Sequence, residues 1–235
     1  MVERGNILKA WRRESTTLRL IGQDTLPVLT ASFDHVTELA LTESQLDEDP
    51  SLFLSRFPEL TVLDLRSNRF EAIPQQVGLL EKLVKLDLGG NQLVVSDTLF
   101  DVLKPLGERS RLEHLLLRET FAERSDSLAP RVFEPLSKLP RLRTLDLASN
   151  DLSFSAQGLQ GLCAMPTLQT LLLQENNIEL NNEVRGVFQS LVNLRRLNLN
   201  DNPLGVSPDV TGLRLLRELG LGRTHISEFP QGCSS

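Results

Sequence analysis

Two cysteines, Cys163 and Cys233, and three histidines, His35, His114 and His225, are the residues best suited to nucleophilic or metal chemistry. A catalytic thiol needs a neighbouring base or positive charge to lower its pKa. Cys163 lies in the apolar run GLCAM, which predicts a buried small hydrophobe on an outer helix. Cys233, in GCSS, has no basic neighbour close in sequence. Zinc sites use short, paired ligand spacings, and these five residues show none. His114 would need a nucleophile within hydrogen-bond reach to act as a base. No GxxxxGK phosphate loop, HExxH or GxSxG run occurs. The expectation is a chain that is no enzyme and holds no metal or cofactor.

What recurs instead is a spacing of leucines and asparagines. The stretch LRRLNLNDN, residues 194–202, reads Leu194-x-x-Leu197-x-Leu199-x-x-Asn202, with Leu204 following. The same template starts at Val36, Leu60, Leu83, Leu112, Leu142, Leu168, Leu194 and Leu216. Self-similarity at intervals of 22 to 30 residues is the mark of a leucine-rich repeat solenoid. The predicted fold is α/β: a curved parallel β-sheet on the concave face, with mixed helical and extended segments on the convex face. Residues 1–35 read as an N-terminal capping helix over 3–13 and an incomplete first strand, and 36–235 as eight repeat units.

The asparagine slot holds Ser44, Asn68, Asn91, Thr120, Asn150, Asn176, Asn202 and Thr224. The chain turns inward there, and an amide can satisfy buried backbone groups of its neighbours. Asn68, Asn91, Asn150, Asn176 and Asn202 are therefore predicted to form a structural ladder. Repeat length predicts the outer face. The 23-residue unit around Pro74 has room for an extended or single-turn link. Longer units should carry helices, capped by Asp49-Pro50, Ser96, Ser155 and Asn182-Glu183. Phe53, Phe100, Phe133 and Phe188 recur in these segments and are expected in the core. Segment 118–134 departs furthest from the template and reads as an outer loop, either functional or a neutral insertion.

Strand side chains alternate, so the x positions of LxxLxLxxN face outward on the concave sheet. The candidate protein-binding residues are His114, Leu116, Arg118, Asp146, Leu172, Gln174 and Arg196. Leu116 and Leu172 are apolar where neighbouring repeats place acids or amides. They suit an interface core with a polar rim, although single exposed leucines are also ordinary. Arg143, Arg195, Arg196, Arg217 and Arg223 gather toward one end, and Glu38, Glu43 and Asp64 toward the other. That polarity either orients a partner or is a solvated face.

Composition narrows the partner. The formal net charge is −6 and the pI about 5.2, against the basic balance of a nucleic-acid binder. The opening MVERGNILKAWRRES has no apolar signal-peptide run, and no window reaches the length of a membrane span. Two cysteines seventy residues apart, without the cysteine-rich caps of extracellular repeat domains, point to a reducing compartment. A protein partner is the expectation, with no nucleic acid and no membrane.

Three stretches carry a more specific likeness: LTVLDLRSNRFEAIPQQVG, LVKLDLGGNQLVVSD and, above all, LRRLNLNDNPLGVSPDVTGLRLLRELGLGRTHISEFPQG. They resemble the repeat region of bacterial type III-secreted leucine-rich-repeat ubiquitin ligases, in particular the large ones of Pseudomonas and its relatives. The likeness covers about residues 12–232. In that family the repeats choose substrates and can restrain a separate catalytic domain, whose cysteine sits in a Cys-x-Asp motif. Here Cys163 is followed by Ala-Met and Cys233 by Ser-Ser, so no ligase residue carries over. The resemblance implies a virulence effector made in the bacterial cytoplasm and secreted into host cytoplasm. Its expected partners are a host target protein and its own downstream catalytic domain, with this chain a piece of the longer protein. The alternative is a stand-alone cytosolic adaptor or scaffold.

Overall fold

The computed structural model describes residues 15–46, 49–121, 130–154 and 156–230. The expected capping helix over 3–13, the Ser155 cap and Cys233 lie outside them. Each repeat contributes one strand, and the strands stack in sequence order into a nine-stranded sheet. They are β1 Thr17–Ile21, β2 Glu38–Thr42, β3 Val62–Asp64, β4 Lys85–Asp87, β5 His114–Leu116, β6 Thr144–Asp146, β7 Thr170–Leu172, β8 Arg196–Asn198 and β9 Glu218–Gly220. Every pairing is parallel, with the template leucines in register: Leu39, Leu63, Leu86, Leu115, Leu145, Leu171, Leu197 and Leu219 stand side by side. The segment expected to hold an incomplete first strand forms a five-residue strand paired with β2 along its whole length. Leucines at alternate positions point inward and are fully buried through β2–β8. In β9, at the sheet edge, Leu219 and Leu221 are only partly buried.

The ladder positions pin consecutive turns to one another. Asn150 Oδ1 accepts the backbone N–H groups of Thr120 (2.7 Å) and Phe121 (3.1 Å), while its Nδ2 donates to the carbonyls of Leu117 (2.7 Å) and Ala148 (3.0 Å). Asn68, Asn91, Asn176 and Asn202 are buried in the same way, each reaching the preceding repeat from both ends of its amide. Thr120 keeps only the donor half, with its hydroxyl bonded to Leu88 O and Arg118 O. Ahead of each ladder position, and after β1, the chain turns through a left-handed residue: Gly22, Glu43, Ser67, Gly90, Glu119, Ser149, Glu175, Asp201 and Arg223 all have φ between 52° and 67°. Only two of the nine are glycine, the residue for which this conformation costs least.

The convex face is more 3₁₀ than α. Three α-helices occur among the described residues, α1 Ser51–Leu54, α2 Glu134–Ser137 and α3 Ala156–Leu162. The other outer segments, Gln75–Leu79, Asp101–Arg109, Pro130–Phe133 and Val187–Ser190, are 3₁₀ turns. The single-turn link expected after Pro74 is the first of these. Asp49 accepts the Ser51 N–H at 3.0 Å, but the N-cap of α1 falls one residue later than expected, at Pro50, with no side-chain cap bond. Two further expected caps need correction. Ser96 caps no helix: its hydroxyl meets Thr98 Oγ1 at 3.3 Å, and the helical segment begins five residues on at Asp101. The turn before Val187 is held by Asn181, not Asn182, whose neighbour's Oδ1 accepts the N–H groups of Glu183 and Val184. Phe53, Phe100, Phe133 and Phe188 are all buried in the core, whichever helix type carries them. Of segment 118–134, residues 122–129 lie outside the described residues. On either side of them the chain keeps to the repeat: Thr120 is a buried ladder residue, Phe121 bridges Leu93, and Pro130–Phe133 is a 3₁₀ turn. No helix among the described residues is long and apolar enough to cross a membrane.

Candidate binding surface

Parallel pairing in register turns sequence columns into spatial rows. Leu116, Asp146 and Leu172 are directly adjacent across β5, β6 and β7. His114, Thr144, Thr170 and Arg196 form the row beside them across β5–β8. Backbone bonds place Arg118, Ala148, Gln174 and Asn200 in the row beyond: Glu119 N to Ala148 O (3.1 Å), Ser149 N to Gln174 O (2.9 Å) and Glu175 N to Asn200 O (3.0 Å). The seven residues singled out from the sequence therefore share one face over four neighbouring strands.

Their environments differ from the bare surface that the sequence suggested. Leu116 and Leu172 are half-buried rather than exposed, and neither joins the hydrophobic core. His114 is half-buried too, with Nδ1 3.0 Å from Thr144 Oγ1. Arg118 is already engaged, with Nε 3.2 Å from Glu119 Oε1 and Nη2 3.7 Å from Glu175 Oε1. Arg196 Nε lies 3.1 Å from Glu218 Oε2 on the next strand. Gln174 is half-buried, and its Oε1 accepts no hydrogen bond among the described residues. Asp146 Oδ1 accepts the Ala148 N–H at 3.0 Å. Burial between the two leucines pushes the Asp146 carboxyl above the ordinary range, and the Ala148 N–H and the Arg118 and Arg196 charges only partly offset this.

The sequence reading passed over a second cluster, on β3 and β4. Asp64 and Asp87 are register partners, and Arg66 clamps Asp64 with two bonds of 2.9 and 2.7 Å while its Nε sits 3.4 Å from Asp87. A methyl at Gly89 would stand 3.1 Å from Arg118 O, a tight approach, but only at ordinary contact distance, 3.6 Å, from Arg66 Cγ. Burial raises the Asp87 carboxyl despite its bond from the Gly89 N–H. Burial acts on Asp64 as well, but the Arg66 bonds outweigh it and hold that carboxyl low. The signal was present in the sequence, because both acids and the arginine fall in adjacent outward columns.

Nothing on the described surface gathers catalytic groups. Cys163 is buried in the core, and burial alone drives its thiol far above the range in which a thiolate forms. No group of three or more His, Cys, Asp or Glu side chains could hold a metal ion among the described residues. A concave-face cavity of about 250 Å³ lies at the other end over β1–β3, lined by Arg19, Glu38, Asp64 and Arg66 among others.

Leucine-rich repeat family models match residues 34–93 and 193–213. The structure of human trophoblast glycoprotein, also called Wnt-activated inhibitory factor 1, superposes with a TM-score of 0.70 at 26% identity, covering 90% of this chain and 78% of that one. The fold is a leucine-rich repeat solenoid. A leucine-rich repeat protein of Leptospira interrogans shares it, with a TM-score of 0.66 at 24% identity over 84% of this chain and 46% of its own. Receptor-like protein EIX1 of Solanum lycopersicum is 32% identical over 136 residues, which is 57% of this chain and 12% of that protein. The chain spans between 2% and 12% of the curated relatives it matches.

Proposed function

We propose that this chain is a protein-recognition module that contacts its partner through the middle of the concave sheet. The observation that carries the reading is the Leu116–Asp146–Leu172 row, an apolar pair flanking a carboxylate on three packed strands. Side chains fixed on a stacked sheet lose little freedom on binding, so more of the contact energy appears as affinity. Interface energy concentrates in a few central, desolvated residues, and the two half-buried leucines supply such a centre. Thr144, Thr170 and Gln174 around them offer uncharged polar contacts. A solenoid also presents a contact surface far longer than a pocket: nine strands about 4.8 Å apart give an arc of roughly 38 Å.

The test is a comparison of captured partners. Full-length chain immobilised on beads is exposed to host-cell lysate beside a Leu116→Asp, Leu172→Asp variant. A protein retained by the first and lost by the second, with both variants equally folded by circular dichroism, is the expected result. A partner held equally by both moves the contact surface off these strands.

The finer reading is that the module selects substrates for a bacterial secreted ubiquitin ligase and works in host cytoplasm. What supports it is the similarity of the three quoted stretches, the run through NPLGVSPDVTGL most of all. On that reading this chain forms no thioester with ubiquitin delivered by a charged conjugating enzyme. The parent gene encodes a downstream Cys-x-Asp domain. A parent gene without one leaves the stand-alone adaptor.

A further inference from the structure

In a sheet of parallel, registered repeats, residues just before each strand line one rim and residues just after it line the other. Backbone bonds trace the first rim residue by residue. Arg143 N donates to Glu113 O (2.9 Å), Gln169 N to Arg143 O (2.8 Å), Arg195 N to Gln169 O (2.8 Å) and Arg217 N to Arg195 O (2.8 Å). Three arginines in four consecutive positions therefore stand along the starts of β6–β9. The opposite rim, at the left-handed turns after β5–β9, carries Glu119, Ser149, Glu175, Asp201 and Arg223. Basic side chains thus dominate the strand-start rim over β6–β9, and acids the opposite rim after β5, β7 and β8, within a chain whose net charge is −6.

The pairing of the two rims is unequal. On the acidic side Arg118 reaches Glu119 and Glu175, and Arg223 pairs with Asp201. On the basic side Arg143 pairs with Glu113 at 3.0 Å. Arg195 and Arg217 are exposed and make no ion pair among the described residues. Leu215 and Val192, 43% and 52% exposed, lie in the turns that lead into the same two strands. A row of unsatisfied guanidinium groups beside exposed apolar side chains is complementary to a protein segment that carries carboxylates.

We propose that this strand-start rim docks an acidic segment of the partner protein, with carboxylates on Arg195, Arg217 and Arg143. The proposal rests on the reading of the chain as a protein-recognition module and adds where the partner's acids lie. Strands about 4.8 Å apart put Arg143 and Arg217 roughly 14 Å apart, the reach of about four extended residues. Two or three carboxylates within a short stretch are enough to span the row. Arginine favours carboxylates because its fork matches them with two parallel bonds. A nucleic acid is disfavoured, because the net charge of −6 repels a polyanion that extends beyond these strands.

The probe is a fluorescein-labelled peptide of alternating glutamate and glycine, titrated with the full chain and followed by anisotropy. Saturable binding at low salt that weakens as salt rises is the expected result. The variant Arg195→Glu, Arg217→Glu should weaken it about tenfold with an unchanged circular dichroism spectrum. If charge reversal perturbs the fold, Arg195→Gln, Arg217→Gln takes its place, with a smaller loss expected. The Leu116→Asp, Leu172→Asp variant should keep the peptide, since the row is intact, while losing its captured partner. Absence of saturable peptide binding, binding indifferent to the arginine changes, or tighter binding of a single-stranded DNA of equal length would each overturn the proposal. The first two would leave the module reading standing wherever the leucine variant still loses its partner.

Discussion

Asn150 shows what one side chain does for a repeat. Its amide makes four hydrogen bonds to backbone groups of two repeats, and it is 5% exposed. Alanine there strands two N–H groups and the Leu117 carbonyl in a place that water does not readily reach, while the Ala148 carbonyl keeps its bond from the Glu119 N–H. The cost is about 1–3 kcal/mol for each unsatisfied group before relaxation. Threonine keeps a donor, as Thr120 does naturally in the neighbouring turn. Urea unfolding should therefore rank wild type above Asn150→Thr and Asn150→Thr above Asn150→Ala, with the alanine loss at least about 3 kcal/mol. Equal loss in the two variants would show that the acceptor oxygen, not the donor, holds the turn. Asp151, although exposed, is no neutral control for this series. Its φ of 50° is a conformation that aspartate tolerates better than alanine.

At the scale of elements, strands and outer segments differ in how far the sequence determines them. Leucines at alternate positions identify strands without ambiguity, because only a strand puts Leu145 and Leu147 on one face and Asp146 on the other. The outer segments carry no such signal. A buried phenylalanine once per turn, a serine or asparagine ahead of it and a repeat length of 26 to 30 residues suit an α-helix and a 3₁₀ turn equally. The left-handed rim was illegible for a related reason: glutamate, serine, aspartate, arginine and glycine all fill that slot, so composition marks it only at Gly22 and Gly90. The concave rows were legible from alternation. The ion pairs that engage Arg118 and Arg196 depend on side-chain reach between repeats of unequal length. Packing between outer segments makes its own prediction. A methyl at Gly78 would stand 2.1 Å from Val102 O, so Gln75–Leu79 and Asp101–Arg109 approach as closely as they do only because residue 78 lacks a Cβ. Gly78→Ala should cost about 1–3 kcal/mol by forcing the two segments apart. At Gly186 the added methyl would meet nothing nearer than 3.7 Å and φ is −90°, so Gly186→Ala should stay within about 0.5 kcal/mol of wild type. Thermal melts of the two variants separate these outcomes.

The whole molecule is a stack in which each unit touches only its neighbours, so stability is a sum of unit terms and interface terms. Position in the stack should then matter as much as residue type. Leu145 and Leu219 fill the same place in the template. Leu145, in β6, is covered by β5 on one side and β7 on the other and has no exposed surface. Leu219, in β9, pairs with β8 alone and is only partly buried. Truncating a fully enclosed leucine removes its transfer free energy and leaves a cavity that neighbours on both sides cannot close, a loss of about 2–5 kcal/mol. Truncating the half-covered one removes less area and leaves a dent that the edge strand can relax into, about 1–2 kcal/mol. Leu145→Ala should also weaken both adjoining interfaces, and hydrogen exchange should quicken through β5, β6 and β7. Leu219→Ala should quicken exchange in β9 and leave β5 protected. Matching losses in urea, or exchange that rises evenly over all nine strands for either variant, would mean that the array unfolds as one block. A stack that opens from its ends while β5–β7 stay closed keeps the Leu116–Asp146–Leu172 row in the segment that opens last. That placement suits a surface whose affinity depends on being held in shape before the partner arrives.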